Sequence, residues 1–196
     1  GACSNGPLAG YKAFPWEGGV CVPFIMSAPG RIAPGLVSSR PVSTLDILPT
    51  VAHLAGVKAP TGVEGRDIAS ALAPTAKPVE RTLYWRMGPN HAVREGKWKL
   101  LVVNKSDTVD DMTNVLGSPT PDGVKAQVSP QGQWTLLFDV AKDPGEKHDL
   151  ASVHPEVVAR LSKRFAAWDQ ANVEPMFTSR RQFRSAVDGR KVQLFN

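Results

Sequence analysis

A short apolar run behind two adjacent glycines constrains the fold of this chain more than any other feature. Residues 20–26 read Val-Cys-Val-Pro-Phe-Ile-Met and directly follow Glu17-Gly18-Gly19. Adjacent glycines allow tight turns and close backbone packing, and a short run that is apolar on both faces is typical of a buried strand in a parallel sheet. We therefore predict a core strand at residues 20–26, entered by a loop that carries Lys12 and Glu17.

An amphipathic helix is predicted shortly after this strand, over residues 47–55. Asp46 stands where it could cap the helix, and Gly56 suits the position just past its end. Its expected buried face has apolar residues at helical spacing: Ile47, Leu48, Val51, Leu54 and Ala55. A strand, turns and an amphipathic helix in this order would close an α/β layer.

The second half of the chain has the pattern of a small α+β unit. Strands are predicted at residues 82–85, 92–94, 98–103 and 134–140, with a hairpin turn at Glu95-Gly96. A helix should begin at Pro155, with Val157, Leu161, Phe165 and Trp168 as its apolar stripe. This helix would cover an antiparallel sheet. Residues 104–133 have almost no apolar periodicity, so we expect a mobile insertion there.

Charge and composition exclude some function classes. The formal net charge is +5, and residues 177–196 contribute +4 of it, from five basic residues against Asp188. Charge carried by such a tail is not the spread basic face of a nucleic-acid-binding domain. No apolar run approaches the roughly 20 residues that a membrane span needs. We therefore expect neither a nucleic-acid partner nor a membrane span.

The two cysteines, Cys3 and Cys21, are interpreted as free thiols. Cys21 lies inside the predicted core strand, where it would act as a small hydrophobe.

Several of these stretches, taken in order, resemble the C-terminal half of a type I sulfatase, a member of the alkaline phosphatase superfamily. The similar features are a lysine (Lys12), a short gap, Glu17-Gly18-Gly19, an apolar strand with a proline, and a Pro-Gly turn. The resemblance continues through residues 43–56, 92–99 and 137–150. It implies the closing strand and helix of a sulfatase-type α/β domain (residues 1–72), a small α+β subdomain (73–176) and a basic tail (177–196).

The resemblance also implies an activity and site residues. A sulfatase hydrolyses a sulfate ester with a formylglycine nucleophile and Ca²⁺, and in this family the lysine that matches Lys12 contacts the sulfate group. Arg86 and His91 lie in a polar loop between predicted strands and could reach the substrate pocket. Glu17 is interpreted as structural, because a carboxylate beside two glycines can hold the loop that carries Lys12.

The nucleophile and the metal ligands are not expected in this chain. Cys21-Val22-Pro23 resembles the start of the sulfatase nucleophile motif, Cys/Ser-X-Pro-Ser-Arg, but Phe24 and Ile25 follow, so the match fails. The chain begins with Gly1 rather than Met, and we expect a fragment whose N-terminal sulfatase part is a missing partner. Alone, it should be inactive and inclined to self-associate through apolar surface.

Two other functions stay open at this point. A phosphonate or phosphate ester hydrolase of the same superfamily would share the features above, and only the nucleophile motif would separate it. A non-catalytic module that binds an anionic polymer through the basic tail belongs to a different class. The sequence leaves open which sulfate ester is cleaved, the oligomeric state, and whether the compartment is periplasmic, extracellular or cytoplasmic.

Overall fold

The computed structural model describes residues 5–10, 12, 15–69, 80–87, 90–104, 127–128, 133–173, 182–187 and 190–195. The chain divides into two compact units, one formed by residues 1–22 with 82–196 and the other by residues 23–81. The division predicted from sequence, at residues 72 and 176, stays a prediction.

The first unit contains a five-stranded antiparallel sheet with strand order β1-β2-β3-β5-β4. Its strands are, in chain order, β1 Thr82–Met87, β2 Asn90–Glu95, β3 Trp98–Asn104, β4 Gln127–Val128 and β5 Gln133–Asp139. The turn between β2 and β3 includes Gly96, whose positive φ of 57° suits glycine. The predicted small α+β unit is therefore confirmed in its antiparallel strands.

One face of this sheet packs against a helix at Pro155–Gln170. We number the helices along the chain as α1 Glu17–Val20, α2 Ile47–Leu54 and α3 Pro155–Gln170. Val157 and Leu161 of α3 are buried in one cluster with Val93, Leu100 and Leu137 of the sheet. The rings of Tyr84 and Trp168 stack with centroids 5.0 Å apart. The stripe predicted for α3 is thus its sheet-packing face.

The opposite face of the sheet has its own apolar cluster. Its buried members are Ala92, Leu101, Leu136, Phe138 and Val140. Trp16, which precedes α1, packs on this cluster, with its ring 5.8 Å from that of Phe138. The segment that carries the Glu-Gly-Gly sequence therefore lies on the face of the sheet away from α3.

The predicted core strand at residues 20–26 is wrong for this chain. Residues 17–20 form the short helix α1, and residues 21–28 contain no strand. Ile25 is 94% exposed, Val22 and Phe24 are exposed as well, and Cys21 is a free, exposed thiol rather than a buried one. A strand needs a neighbour to pair its backbone groups, and none of the described strands pairs with these residues.

The second unit contains α2 at Ile47–Leu54, as predicted, but with a different buried face. Ile47, Leu48 and Val51 are exposed, whereas Pro49, Thr50 and Ala52 are buried. Polar groups fix the buried side, because the Thr50 hydroxyl donates to the Asp46 carbonyl oxygen and accepts from the Ile68 N–H.

Asp46 occupies the N-cap position of α2, as predicted, but its side chain makes no capping hydrogen bond to that helix. Its fully buried carboxylate accepts the backbone N–H groups of Ser43 and Arg66, at 2.8 and 2.9 Å, and pairs with the Arg81 guanidinium. Burial alone would raise the pKa of Asp46, but these hydrogen bonds and the Arg81 charge outweigh it and hold the pKa below its usual value. The carboxylate closes the 3₁₀ turn Thr44–Asp46 instead.

Near the C-terminus, the backbone of β6 Gln182–Val187 pairs antiparallel with β7 Arg190–Phe195. This pairing falls within the predicted basic tail. The predicted mobile insertion at residues 104–133 lies outside the described residues, except for its two end residues and β4. Within the described ranges, none of the helices combines the length and apolar character that crossing a membrane would require.

Candidate functional site

The segment around Lys12 is tied to α1 by backbone and amide contacts. The Asn5 side-chain amide donates to the carbonyl oxygens of Gly10 and Gly18, at 3.2 and 2.9 Å. The Gly18 N–H donates to the Ala9 carbonyl oxygen at 2.7 Å. These bonds join the chain before Lys12 to the chain after it, and we call the described residues between them, Gly10, Lys12, Pro15 and Trp16, the Lys12 loop.

Gly18 is required by the closeness of this contact. A Cβ at this position would lie 2.5 Å from the carbonyl oxygens of both Ala9 and Gly10. No side chain fits there without displacing backbone. The first glycine of the Glu-Gly-Gly sequence is therefore explained by steric contact rather than by an unusual φ angle.

Glu17 lies at the start of α1 and is only 5% exposed. Its Oε1 accepts a hydrogen bond from Lys99 Nζ at 2.9 Å, and its Oε2 lies 3.4 Å from Arg94 Nη1. Its backbone N–H donates to Glu146 Oε2 at 2.7 Å. Three contacts thus support a structural role for Glu17, and two of them come from the adjacent strands β2 and β3.

Lys99 and Glu146 complete a buried ionic cluster with Glu17. Both side chains are fully buried, and Lys99 Nζ lies 2.8 Å from Glu146 Oε1. Burial raises the pKa of Glu146, although the Lys99 charge and the Glu17 N–H act in the opposite direction. Glu146 also has a left-handed backbone with φ of 51°, a conformation that costs energy for a residue other than glycine.

Sequence reasoning missed Lys99 and Glu146. The available signal was a lysine on an otherwise apolar strand, since β3 reads Trp-Lys-Leu-Leu-Val-Val-Asn. Side chains alternate along a strand, so Lys99 shares its face with the buried Leu101. A lysine on a buried face requires a carboxylate partner, but the sequence alone does not identify Glu17 and Glu146 as that pair.

Lys12 is exposed in the turn of its loop. Its ammonium group is on a loop whose flanking residues are fixed: Gly10 by Asn5, and Pro15, which is fully buried, by the packing before α1. A cation in this setting can meet an anion from solvent or from another polypeptide segment.

Arg86 and His91 lie on the other face of the sheet. They are directly paired between β1 and β2, and both contact α3. Arg86 pairs with Asp169 and donates to the Val173 carbonyl oxygen at 3.0 Å. The His91 ring stacks on Phe165 at 3.8 Å. The structure brings Arg86 and His91 together, but it attaches the Lys12 loop to the opposite face.

No described part of the chain offers a site that fits Ca²⁺. Among the described residues, no group of three or more His, Cys, Asp or Glu side chains could hold a metal ion. Calcium prefers six to eight oxygen ligands, and the carboxylates of Glu17 and Glu146 are instead paired with Lys99. We therefore derive no step through a metal from these residues.

Comparisons with known proteins identify the family of this chain. A family model described as the C-terminal region of aryl-sulfatase matches residues 77–188. Human arylsulfatase A is 34% identical over 174 residues, which cover 83% of this chain and 33% of the relative. Mouse steryl-sulfatase is 33% identical over 181 residues, covering 86% of this chain and 28% of the relative.

A solved structure shares the fold. The crystal structure of Ps i-CgsB in complex with k-i-k-neocarrahexaose superposes with a TM-score of 0.66 at 26% identity, covering 89% of this chain and 34% of that one. The chain spans about a third of the length of the relatives it matches. Since the family model matches more than half of the residues, the chain belongs to the sulfatase family and represents its C-terminal region.

Proposed function

We propose that this chain is the C-terminal part of an enzyme that hydrolyses a sulfate ester, and that Lys12 contacts the sulfate group. The observation that carries the proposal is the Lys12 loop. An exposed lysine lies on a loop whose ends are fixed by hydrogen bonds, and a buried Glu17 follows this loop. The similarity to human arylsulfatase A and mouse steryl-sulfatase supports the reaction class.

The chemistry gives Lys12 a defined task. Hydrolysis of a sulfate ester places negative charge on the oxygens of the transferring group and on the leaving oxygen. A fixed ammonium group beside those oxygens stabilises the transition state more than the ground state. A lysine on a flexible tail would have to be ordered first, whereas the Lys12 loop is already held at both ends.

The remaining catalytic groups would come from the part of the enzyme outside this chain. A formylglycine would supply the nucleophile, and Ca²⁺ would supply charge to hold the sulfate group. Apolar surface on this chain supports such a partner, because Val22, Ile25, Leu48 and Val51 are exposed. We propose that the N-terminal sulfatase part covers this surface.

Arg86 and His91 stay predicted substrate-pocket residues with weaker support than Lys12. Both side chains contact α3 on the face of the sheet opposite to α1. For either residue to reach substrate, the pocket would have to include the end of the sheet where β1 meets β2.

Kinetics of Lys12→Ala in the enzyme that contains this chain would test the proposal. Loss of a charge that contacts the transition state should lower kcat/KM for an aryl sulfate by roughly 10²–10³. Lys163→Ala is the matched control, since Lys163 is an exposed lysine on α3, and it should leave kcat/KM unchanged.

Two outcomes would contradict the proposal. An unchanged kcat/KM for Lys12→Ala would remove Lys12 from the site. Faster turnover of an aryl phosphate or phosphonate than of the matching sulfate would favour the sister hydrolases of the superfamily.

A further inference from the structure

The Lys12 loop is attached to the sheet through charged groups that are almost completely removed from water. Glu17 is 5% exposed, and Lys99 and Glu146 are fully buried. Each contacts the other two: Lys99 Nζ lies 2.9 Å from Glu17 Oε1 and 2.8 Å from Glu146 Oε1, and the Glu17 N–H donates to Glu146 Oε2. The three residues form a closed ring of contacts, which we call the Glu17–Lys99–Glu146 ring.

Charge balance makes the ring dependent on Lys99. It contains two carboxylates and one ammonium group, and the guanidinium of Arg94 stands 3.4 Å from Glu17. Without Lys99, two buried carboxylates would face each other with only Arg94 to balance them. Such an arrangement is relieved by protonation or by movement of a side chain out of the site. Because Glu17 begins α1, its movement would shift the helix.

The ring fixes α1 in two independent ways. Lys99 holds the side chain of Glu17, and Glu146 holds its backbone N–H. The turn that presents Glu146 also approaches the segment before the Lys12 loop, since a Cβ on Gly145 would lie 3.0 Å from the Pro7 carbonyl oxygen. The turn after β5 therefore lies close to the chain before Lys12, and the same turn together with β3 holds Glu17 after it.

We infer that Lys99 and Glu146 are positioning residues for Lys12: through Glu17 and α1 they hold the Lys12 loop in the geometry that meets the sulfate group. This inference rests on the proposed function of Lys12. It gives the C-terminal sheet a part in catalysis through residues that act on the position of Lys12 and not on the sulfate group itself. The buried charges then have a functional role, which is to orient one surface lysine.

A double-mutant cycle in the enzyme that contains this chain tests the inference. Lys99→Met and Glu146→Asp are each made alone and in a Lys12→Ala background. Glu146→Asp keeps the charge and nearly the volume but draws the carboxylate away from the Glu17 N–H. Each single variant should lower kcat/KM for an aryl sulfate by roughly 10- to 100-fold, as a misplaced catalytic group does. In the Lys12→Ala background each should lower it less than about twofold, because the group being positioned is gone.

Assays are run below the onset of unfolding, with the folded fraction measured by circular dichroism. Glu146→Gln keeps the length of the side chain, but its amide NH2 must face either the Lys99 ammonium group or the Glu17 N–H, so this variant should lower kcat/KM as Glu146→Asp does. Lys163→Met, the matched lysine control, should behave as wild type. If Lys99→Met does not fold, the Glu146 variants decide the question.

The outcomes separate the two hypotheses. If Lys12→Ala has no effect, the proposed function fails. If Lys12→Ala lowers kcat/KM but folded Glu146→Asp matches wild type, the positioning inference is overturned and the proposed function stands. Effects that multiply fully in the double variants would show that Lys99 and Glu146 act independently of Lys12, and would overturn the positioning inference.

Discussion

The antiparallel sheet buries its apolar side chains, whereas the segment of residues 20–57 exposes many of its own. Leu100, Leu101 and Leu137 are fully buried, but Ile25 is 94% exposed and Val51 is 54% exposed. Both regions consist of ordinary core-forming residues. They differ in whether another described part of the chain covers them.

Sequence distance explains this difference. Antiparallel strands are joined by short turns, so β1, β2 and β3 find their partners within a few residues, and α3 follows close behind β5. A strand and helix of a parallel α/β layer pair with elements that are distant in sequence. The matched relatives are about three times the length of this chain. We propose that their additional residues correspond to the missing cover.

The largest expected effect is the complete loss of turnover in the isolated chain. Purified residues 1–196, supplied with Ca²⁺ and a chromogenic aryl sulfate, should show no hydrolysis above the blank, because catalysis needs a nucleophile and a metal site in addition to Lys12. Turnover that Lys12→Ala abolishes would contradict this prediction. It would also show that the exposed segment needs no partner for function.

The next largest effect should be loss of stability on Lys99→Met. Removing one member of a buried ion pair leaves an uncompensated charge, and we expect a loss of about 3–5 kcal/mol in the free energy of unfolding. Tryptophan fluorescence during urea unfolding measures it selectively, since all five tryptophans lie in the unit that contains the sheet. Lys163→Met should stay within about 0.5 kcal/mol of wild type. Equal stability of the two variants would mean that Lys99 is not paired as described.

The sequence predicts the sheet and α3 well because their determinants are local. Short apolar runs, the turn at Gly96 and Pro155 at the start of α3 each act within a few positions. The site is predicted only in part. The family resemblance identifies Lys12, and the two glycines suggest that Glu17 is structural. Lys99 and Glu146 lie 82 and 129 residues from Glu17, and no local pattern encodes contacts over such distances.

A similar limit accounts for the wrong assignments. Apolar periodicity identifies the residues that favour burial, but it does not show whether a partner is present to cover them. For this reason the predicted core strand at residues 20–26 and the predicted buried face of α2 are both wrong. Asp46 has the residue type of a helix cap, yet Arg81, 35 positions away, pairs with it instead.

Self-association of the isolated chain should follow from the exposed apolar segment. Exposed apolar patches favour association, so sedimentation should show a mass that grows with concentration. Val51→Ser should lower this tendency without changing the free energy of unfolding by more than about 0.5 kcal/mol. Val153→Ser is the matched control, because Val153 is also exposed but lies in the unit that contains the sheet. An equal effect of both variants would show that the segment is not the associating surface.

The smallest expected effect is a pH dependence of the free energy of unfolding. It should distinguish the buried carboxylate of Glu146, in the unit with the sheet, from that of Asp46, in the unit with α2. Burial raises the pKa of Glu146 above its ordinary value of 4.5. Between 4.5 and the raised pKa the native state binds more protons than the unfolded state, so this group makes stability fall as pH rises through that window. Asp46 has the opposite sign: its pKa lies below 3.8, so its contribution is intact above that pH and is lost only as pH falls through the lowered value.

Fluorescence-detected urea unfolding from pH 7 to pH 4.5 should therefore isolate Glu146. The relevant quantity is the difference in the free energy of unfolding between wild type and Glu146→Gln, since all other titratable groups are common to both. As the solution is acidified, the free energy of unfolding of wild type should rise relative to that of Glu146→Gln. The reason is that only the Glu146 carboxylate of wild type can take up a proton. A difference independent of pH would mean that Glu146 keeps an ordinary pKa, and that Lys99 fully compensates its burial.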